Sequence, residues 1–182
     1  IVVTGDWREI KKSDKDSSLK IFDQTYLNKN QVKHFEDLTY SIPNLNFAAS
    51  DSRPRYFQIR GIGERSGYEG TPNSSVGFLI DDIDFSGQGG IASSYDIQQV
   101  EIYRGPQGSR MGANALAGLI YIKTNDPEDI FEVKANLTFG DFGRKDFGGS
   151  INIPINEKFK YRFSFKKDCL LYTSDAADEV LG

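Results

Sequence analysis

Three aspartates lie close together near the middle of the chain: Asp81, Asp82 and Asp84. Carboxylates this close could bind a calcium ion or act as an acid and a base. Successive side chains of a strand point to opposite faces, so only Asp82 and Asp84 would share a face. A solvated turn therefore explains the three aspartates better than a metal site or a catalytic site.

The other residue types that support catalysis occur singly. His34 is the only histidine, which leaves no histidine partner for a catalytic triad or a metal site. Cys169 is the only cysteine and cannot form a disulfide within the chain. We therefore assign no catalytic residue, no metal and no cofactor, and expect a protein that is not an enzyme.

The glycine-rich segments lack the features of nucleotide-binding loops. Residues 61–66 (GIGERS) miss the third glycine of a dinucleotide fingerprint, and residues 105–112 (GPQGSRMG) lack the Lys-Ser/Thr ending of a P-loop. The net charge of -4 and the pI of about 5.1 give no positive field for phosphate backbones. We interpret both segments as turns and expect no nucleic acid partner.

The strands and helices that contain the residues named above are predicted to be short. The 18 glycines and the aromatic content of 13% favour short strands and turns over long helices. Residues 19–27 (LKIFDQTYL) predict a strand. One amphipathic helix is predicted by apolar residues at near-helical spacing, which are Val32, Phe35, Leu38 and Ile42. Asn30 would cap the start of this helix and Pro43 would end it.

From Pro54 onward, short β-prone runs alternate with glycine loops. This pattern predicts a compact α+β domain that is mostly sheet with short helices. Residues 125–129 (NDPED) form a polar break with a proline, and we place the domain boundary there.

Beyond this break, apolar and polar residues alternate strictly. The apolar positions of the first and third predicted strands are Phe131, Val133, Ala135, Leu137, Phe139, Phe159, Tyr161, Phe163 and Phe165. On alternation alone, a soluble β-sandwich is the simpler explanation. Aromatic faces about ten residues long, opposite a charged face, favour a wide transmembrane barrel with a wet lumen.

Three segments resemble the plug domain of TonB-dependent outer-membrane receptors. Residues 59–61 (IRG) are similar to the family's "IRG" motif, and residues 76–83 (VGFLIDDI) to its "V-x-x-x-[IV]-D-G-V" motif. Asp82 stands where the second motif usually has glycine. Residues 97–124 (IQQVEIYRGPQGSRMGANALAGLIYIKT) match the longest motif in order and spacing, with Met111 in place of an aromatic.

The resemblance implies a division into four segments. Residues 1–18 would be a TonB-box-like strand with a flexible leader, and residues 19–126 the plug domain. Residues 127–168 would be the first antiparallel strands of a transmembrane β-barrel that the sequence leaves incomplete. Residues 169–182 break the alternation and look like translated sequencing-adapter read-through, so we assign them no function. We expect any signal peptide to lie upstream of Ile1.

The resemblance also assigns roles to residues. The segment that would bind TonB consists of Ile1, Val2, Val3, Thr4 and Gly5. Arg60, Arg104 and Glu101 would form a latch, in which the two arginines face acidic residues on the inner wall of the barrel. Glycines would let the plug loops fold tightly inside the lumen; they are Gly61, Gly63, Gly105, Gly108, Gly112 and Gly118.

The function implied is TonB-dependent uptake of a scarce nutrient across the outer membrane of a Gram-negative bacterium, with a ferric siderophore as the favoured cargo. The implied partners are TonB, outer-membrane lipid and the transported ligand. A soluble, β-rich, plug-like module for ligand binding or signalling is the alternative. In that case, the strands after Phe131 would fold back onto the plug in water.

Overall fold

The computed structural model describes residues 2–3, 10–11, 18–30, 32, 35–49, 54–66, 73–88, 95–140 and 144–169. The chain divides into two compact units, Ile1–Asn125 and Asp126–Gly182. Within the described ranges, no helix has the length and apolar character needed to cross a membrane.

The first unit is built from short strands and short helices. Its elements are β1 (Val2–Val3), β2 (Ile10–Lys11), β3 (Ser18–Asp23), α1 (Gln24–Lys29), α2 (Phe35–Thr39), β4 (Leu45–Ala49), β5 (Pro54–Ile59), β6 (Val76–Ile80), β7 (Ile83–Asp84), β8 (Ile97–Arg104), α3 (Gly108–Met111) and β9 (Gly118–Thr124). A five-stranded sheet has the order β3-β8-β9-β6-β7, in which β6 and β9 are parallel and the other neighbours antiparallel. Separate antiparallel pairs are formed by β1 with β2 and by β4 with β5.

One face of the five-stranded sheet packs against both longer helices and the β4–β5 pair. The buried sheet residues on this face include Phe22, Val76, Phe78, Val100, Ile102, Ile120 and Ile122. Phe35 of α2 meets Phe57 and Phe78 edge-on, with ring centroids 5.2 Å and 5.5 Å apart. Burial of each such aromatic side chain contributes about 1.5–3 kcal/mol, so this cluster is the main core of the unit.

The opposite face of the sheet is also covered. Its buried cluster consists of Val3, Leu19, Ile21, Leu79, Tyr103, Ala115, Leu119 and Tyr121, with Met111 packed against it. Because both faces of β6 and β9 are buried, their sequences are nearly continuous apolar runs instead of alternating ones.

The predicted strand over residues 19–27 is wrong in its second half. The strand β3 ends at Asp23, whose Oδ1 accepts a hydrogen bond from Tyr26 N at 2.8 Å. This side chain caps the start of α1, a contact that stabilises a helix by about 1 kcal/mol. The capping bond therefore converts the end of an apparent strand into a helix.

The predicted helix start at Asn30 is also wrong. Asn30 is the C-cap of α1, and its backbone N–H and its Nδ2 both donate to Tyr26 O. The helix predicted downstream is present as α2, but shorter than expected, and it ends at Thr39 ahead of Pro43. A polar side chain can hydrogen-bond to free backbone groups at either end of a helix. The presence of Asn30 alone therefore does not show whether a helix begins or ends there.

The second unit contains a three-stranded antiparallel sheet. Its strands are β10 (Glu132–Phe139), β11 (Lys145–Pro154) and β12 (Lys160–Cys169), in that order across the sheet. The register places Val133, Ile151 and Phe163 side by side. Between β11 and β12, Asn156 Oδ1 accepts from Lys158 N and Phe159 N and thereby shapes the turn.

One face of this sheet is apolar and exposed. The exposed apolar residues of its three strands are Val133, Leu137, Phe139, Phe147, Ile151, Ile153, Tyr161, Phe163 and Phe165. Gly149 lies among them, and a Cβ there would come within 2.8 Å of the Phe165 ring, which covers this glycine. In the described part of the chain the sheet stays open, with β10 and β12 at its edges.

Candidate functional site

The three motif segments meet at one end of the five-stranded sheet, around Gly118. Gly118 is paired with Arg104 on one side and with Val76 on the other. A Cβ at Gly118 would lie 2.3 Å from Tyr103 O and 2.6 Å from Ile59 Cδ1. Only glycine allows the neighbouring strand and the Ile59 side chain to approach this closely.

Glu64 fastens the loop after the "IRG" segment to the start of β6. Its Oε1 accepts from Ser75 N at 2.9 Å and from Ser75 Oγ at 2.7 Å. The backbone N–H groups of Ala115 and Ala117 donate to Ser74 O and Ser75 O. Two loops from different motifs are thus held by residues 74–75. Local sequence pattern does not predict the role of Glu64, because its partner lies 11 residues away.

The two predicted latch arginines lie next to this junction. Arg60 is exposed in the turn after β5, and Arg104 is half-buried at the end of β8. Arg104 Nε is buried and has no hydrogen-bond partner among the described residues. Over the same ranges, neither arginine forms an ion pair.

Glu101, the third predicted latch residue, is fully buried. Its Oε1 accepts from Gln99 Nε2 and its Oε2 from Tyr103 OH, each at 2.5 Å. A buried carboxylate requires such bonds because losing its hydration is costly. The structure therefore places Glu101 in a polar row along β8, and its role in a latch stays a prediction.

The predicted motif glycines occupy different kinds of positions. Positive φ angles occur at Gly61, Gly63, Gly105 and Gly112. At Gly63 a Cβ would also lie 2.2 Å from Phe57 O, so the turn back over β5 requires glycine there. Gly108 begins α3, and nothing lies within 4 Å of a Cβ at this position. The backbone conformation at position 108 therefore does not require glycine.

The segment predicted to bind TonB is described only in part. Ile1, Thr4 and Gly5 lie outside the described residues, as does most of the predicted leader. Val2–Val3 pairs antiparallel with Ile10–Lys11, and the Val3 side chain is fully buried in the cluster around Leu119. In this conformation, Val3 is inaccessible to a partner.

The three aspartates lie in and beside the tight turn between β6 and β7. Asp81 and Asp82 have φ angles of 46° and 69°, and Asp81 accepts hydrogen bonds from Thr124 N and Thr124 Oγ1 at 3.0 Å and 2.5 Å. Asp82 pairs with Arg110, while Asp84 accepts from Asn114 Nδ2 at 3.4 Å. Among the described residues, no group of side chains is arranged to hold a metal ion.

Tyr121 lies beside this turn. Burial raises the pKa of its phenol above 10.0, and the negative charge of Asp82 raises it further. The Arg110 guanidinium lies over the ring, 4.8 Å from its centroid, and its positive charge acts in the opposite direction.

The chain belongs to the TonB-dependent receptor family. The family described as the TonB-dependent Receptor Plug Domain matches residues 11–119. The Vitamin B12 transporter BtuB of Vibrio vulnificus (strain YJ016) is 22% identical over 174 residues, which are 92% of this chain and 27% of BtuB. The chain thus spans about a quarter of this curated relative.

Solved receptor structures share the fold. The alcaligin outer membrane receptor FauA from Bordetella pertussis has a TM-score of 0.68 at 16% identity, covering 87% of this chain and 27% of FauA. The siderophore receptor PiuA from Acinetobacter baumannii has a TM-score of 0.67 at 16% identity, covering 84% of this chain and 20% of PiuA.

These similarities confirm the predicted family and the predicted fold class: a plug of strands with short helices, followed by strands of a barrel that is not closed. The similar proteins are transporters and receptors, in agreement with the expectation that this chain is not an enzyme.

Proposed function

We propose that this chain is the plug and the first wall strands of an outer-membrane transporter that takes up a ferric siderophore with energy supplied through TonB. Family membership supports the receptor class, and the similarity to the siderophore receptor PiuA supports the cargo class. The location would be the outer membrane of a Gram-negative bacterium, as for other members of the family.

The observation that carries this proposal is the two-faced sheet that follows the plug fold. Phe163 and Phe165 are 64% and 62% exposed in β12, whereas Arg162 and Lys166, which flank this pair along the strand, face the other side. An exposed aromatic face is unfavourable in water and favourable against lipid acyl chains. The opposite polar face suits a wet lumen.

We propose the domain division given by the motifs: a TonB-binding segment and leader at 1–18, the plug at 19–126 and wall strands at 127–168. Within it, Arg60 and Arg104 would hold the plug through carboxylates of the wall. The unpartnered Arg104 Nε supports this role, because a buried guanidinium nitrogen is costly without an acceptor. Loss of one member of such a pair costs about 3–5 kcal/mol.

Energy coupling would require the N-terminal strand to change partners. TonB would bind residues 1–5 by β-strand addition, in which main-chain hydrogen bonds provide the affinity. Val3 is buried and its strand is already paired, so the segment must first leave the plug. Each main-chain bond contributes only about 0.5–1.5 kcal/mol net, which suits a contact that forms and releases.

Growth under iron limitation tests the function. We expect the full-length receptor to support uptake of a ferric siderophore in a strain that lacks its own receptors, and deletion of TonB to abolish that uptake. Val133→Ala keeps an apolar side chain on the apolar face, so we expect this control variant to retain uptake. Uptake of cobalamin alone would overturn the cargo assignment.

Fractionation separates the proposal from the soluble alternative. We expect residues 1–126 alone to be soluble and the complete chain to require detergent, because the apolar face of β10–β12 needs lipid. A complete chain that is monomeric in water, with its strands protected from exchange, would support the soluble module instead.

A further inference from the structure

Asn152 of β11 is a buried side chain whose hydrogen bonds are all directed at the segment preceding β10. It is 1% exposed. Its Nδ2 donates to Glu128 O at 2.9 Å and to Ile130 O, and its Oδ1 accepts from Glu128 N at 3.0 Å. The carboxamide therefore pairs with the backbone of Glu128 through both a donor and an acceptor, as a neighbouring strand would.

The position of Asn152 in the sheet shows which part of the chain these bonds hold. Its backbone pairs with Glu132, the first residue pair of the β10–β11 ladder. The side chain then reaches two to four residues further back along the chain, to residues that the ladder does not hold. The pairing of β10 is in this way extended beyond the end of the strand.

A second contact from the same sheet reaches this segment. Lys160 Nζ of β12 lies 2.6 Å from Asp129 Oδ1. Asp129 is 79% exposed, so this ion pair contributes little, and the buried amide of Asn152 is the stronger hold. Both contacts lie within the second unit.

The end of the first unit is also fixed by side chains. Thr124 is bonded to the Asp81 carboxylate, and the Nδ2 of Asn125 donates to Asp96 Oδ1 at 2.9 Å. In the sequence, only Asp126 and Pro127 separate these fixed residues from Glu128. The connection between the two units is thus a short segment anchored at both ends.

We propose that Asn152 is the anchor that protects the β10–β11 ladder when the plug is pulled. Without the Asn152 side-chain bonds, a force applied at residue 126 would be resisted before the Glu132–Asn152 pair mainly by the exposed Lys160–Asp129 ion pair, and it would then open the ladder one bond at a time. The three side-chain bonds upstream must break before this first pair carries the load. The source of the load rests on the proposed function, but the anchoring itself does not.

Hydrogen exchange tests the anchor without involving transport. The full-length receptor in detergent would be compared as wild type, Asn152→Ala, Asn152→Asp and Asn136→Ala. Asn136 is the control because it lies in the same sheet and is exposed. We expect Asn152→Ala to speed exchange of the Glu128 amide about tenfold and to loosen the first amides of β10, while Asn136→Ala leaves both unchanged.

Asn152→Asp is a second variant with a side chain of nearly unchanged shape, for the case in which the alanine variant leaves a cavity and fails to fold. Aspartate keeps the acceptor for the Glu128 amide, but its second oxygen would take the place of Nδ2 and face the carbonyl oxygens of Glu128 and Ile130. We therefore expect the first amides of β10 to exchange at least as fast as in Asn152→Ala. Wild-type exchange at residues 128–133 in either Asn152 variant would overturn the anchor. Uptake is then measured separately: intact exchange differences with no TonB-dependent uptake would refute the proposed function and leave the anchor standing.

Discussion

Arg110 and Asp82, which are 28 residues apart, form an ion pair that joins α3 to the turn between β6 and β7. Asp82 has a left-handed φ of 69° at the position where the family's motif usually has glycine. Such a φ costs a residue with a side chain about 1 kcal/mol relative to glycine. The ion pair, and the stacking of Arg110 on Tyr121, offset this cost.

Replacement of Asp82 by glycine should therefore be nearly neutral. Asp82→Gly removes the ion pair and relieves the left-handed strain, and we expect the free energy of unfolding to change by less than about 0.5 kcal/mol. Arg110→Ala removes the ion pair and the contact with Tyr121 without relief, and we expect a loss of about 1–2 kcal/mol. Urea denaturation of residues 1–126 measures both changes. An equal loss in both variants would show that strain at Asp82 is unimportant.

The phenol of Tyr121 should make stability fall at high pH. Burial, followed by the charge of Asp82, raises its pKa in the folded state above 10.0. The folded state therefore holds the proton more tightly than the unfolded state, so this stability is present below pH 10 and is lost as the pH rises through the folded-state pKa. Phenolate absorbance and urea denaturation between pH 9 and 12 follow this loss. We expect Tyr121→Phe to reduce it and Asp82→Asn to lower the pKa of Tyr121.

Gly118 and Gly108 provide a matched test of the close approach between motifs. Gly118→Ala would place a Cβ 2.3 Å from Tyr103 O, so we expect a loss of about 1–3 kcal/mol in the free energy of unfolding. Gly108→Ala meets open space in α3, and we expect no loss and a gain of up to about 1 kcal/mol. If thermal denaturation showed equal changes in stability for the two variants, Tyr103 and Ile59 would have to move easily to make room for a Cβ at Gly118.

The sequence was most informative where one physical constraint acts on many residues. In β10 and β12, every second side chain must face the same environment, and the alternation from Phe131 to Phe165 therefore predicted both faces of the sheet. Contacts between distant residues leave no such periodic signal. The Asp82–Arg110 pair and the burial of Val3 depend on how segments far apart in the chain fold together, so neither could be predicted from local pattern.

The same limit explains why the helix start predicted at Asn30 is wrong and why local pattern does not predict the roles of Glu64 and Asn152. Asp23 and Asn30 are polar residues that can end or start a helix, and which end they cap depends on a single local bond. Glu64 and Asn152 function through bonds to backbone groups 11 and 22–24 residues away. Their residue types are common in loops and strands, so the sequence gives no reason to select them.

Substitutions at Val3 test whether main-chain hydrogen bonds of the N-terminal strand are needed for energy coupling. Val3→Pro removes the N–H donor that strand addition needs, and we expect it to abolish uptake while leaving ligand binding unchanged. Val3→Ala keeps the donor and loses only side-chain packing, so we expect uptake to continue. Transport assays with labelled ligand, alongside binding to whole cells, measure the two effects. Normal uptake by Val3→Pro would contradict the assignment of residues 1–5 to TonB binding.

Phe163 and Ser164 are adjacent in β12 and test which face of the second unit meets lipid. Phe163 lies beside Ile151 in the exposed apolar face, whereas Ser164 points to the polar side. Lysine on a lipid-facing strand costs about 2–4 kcal/mol near the bilayer midplane, and lysine in a wet lumen costs little. We therefore expect Phe163→Lys to reduce the amount of folded receptor in outer-membrane fractions and Ser164→Lys to leave it unchanged. The reverse result, with only Ser164→Lys lost from the membrane, would mean that the polar face is packed and that the apolar face does not meet lipid.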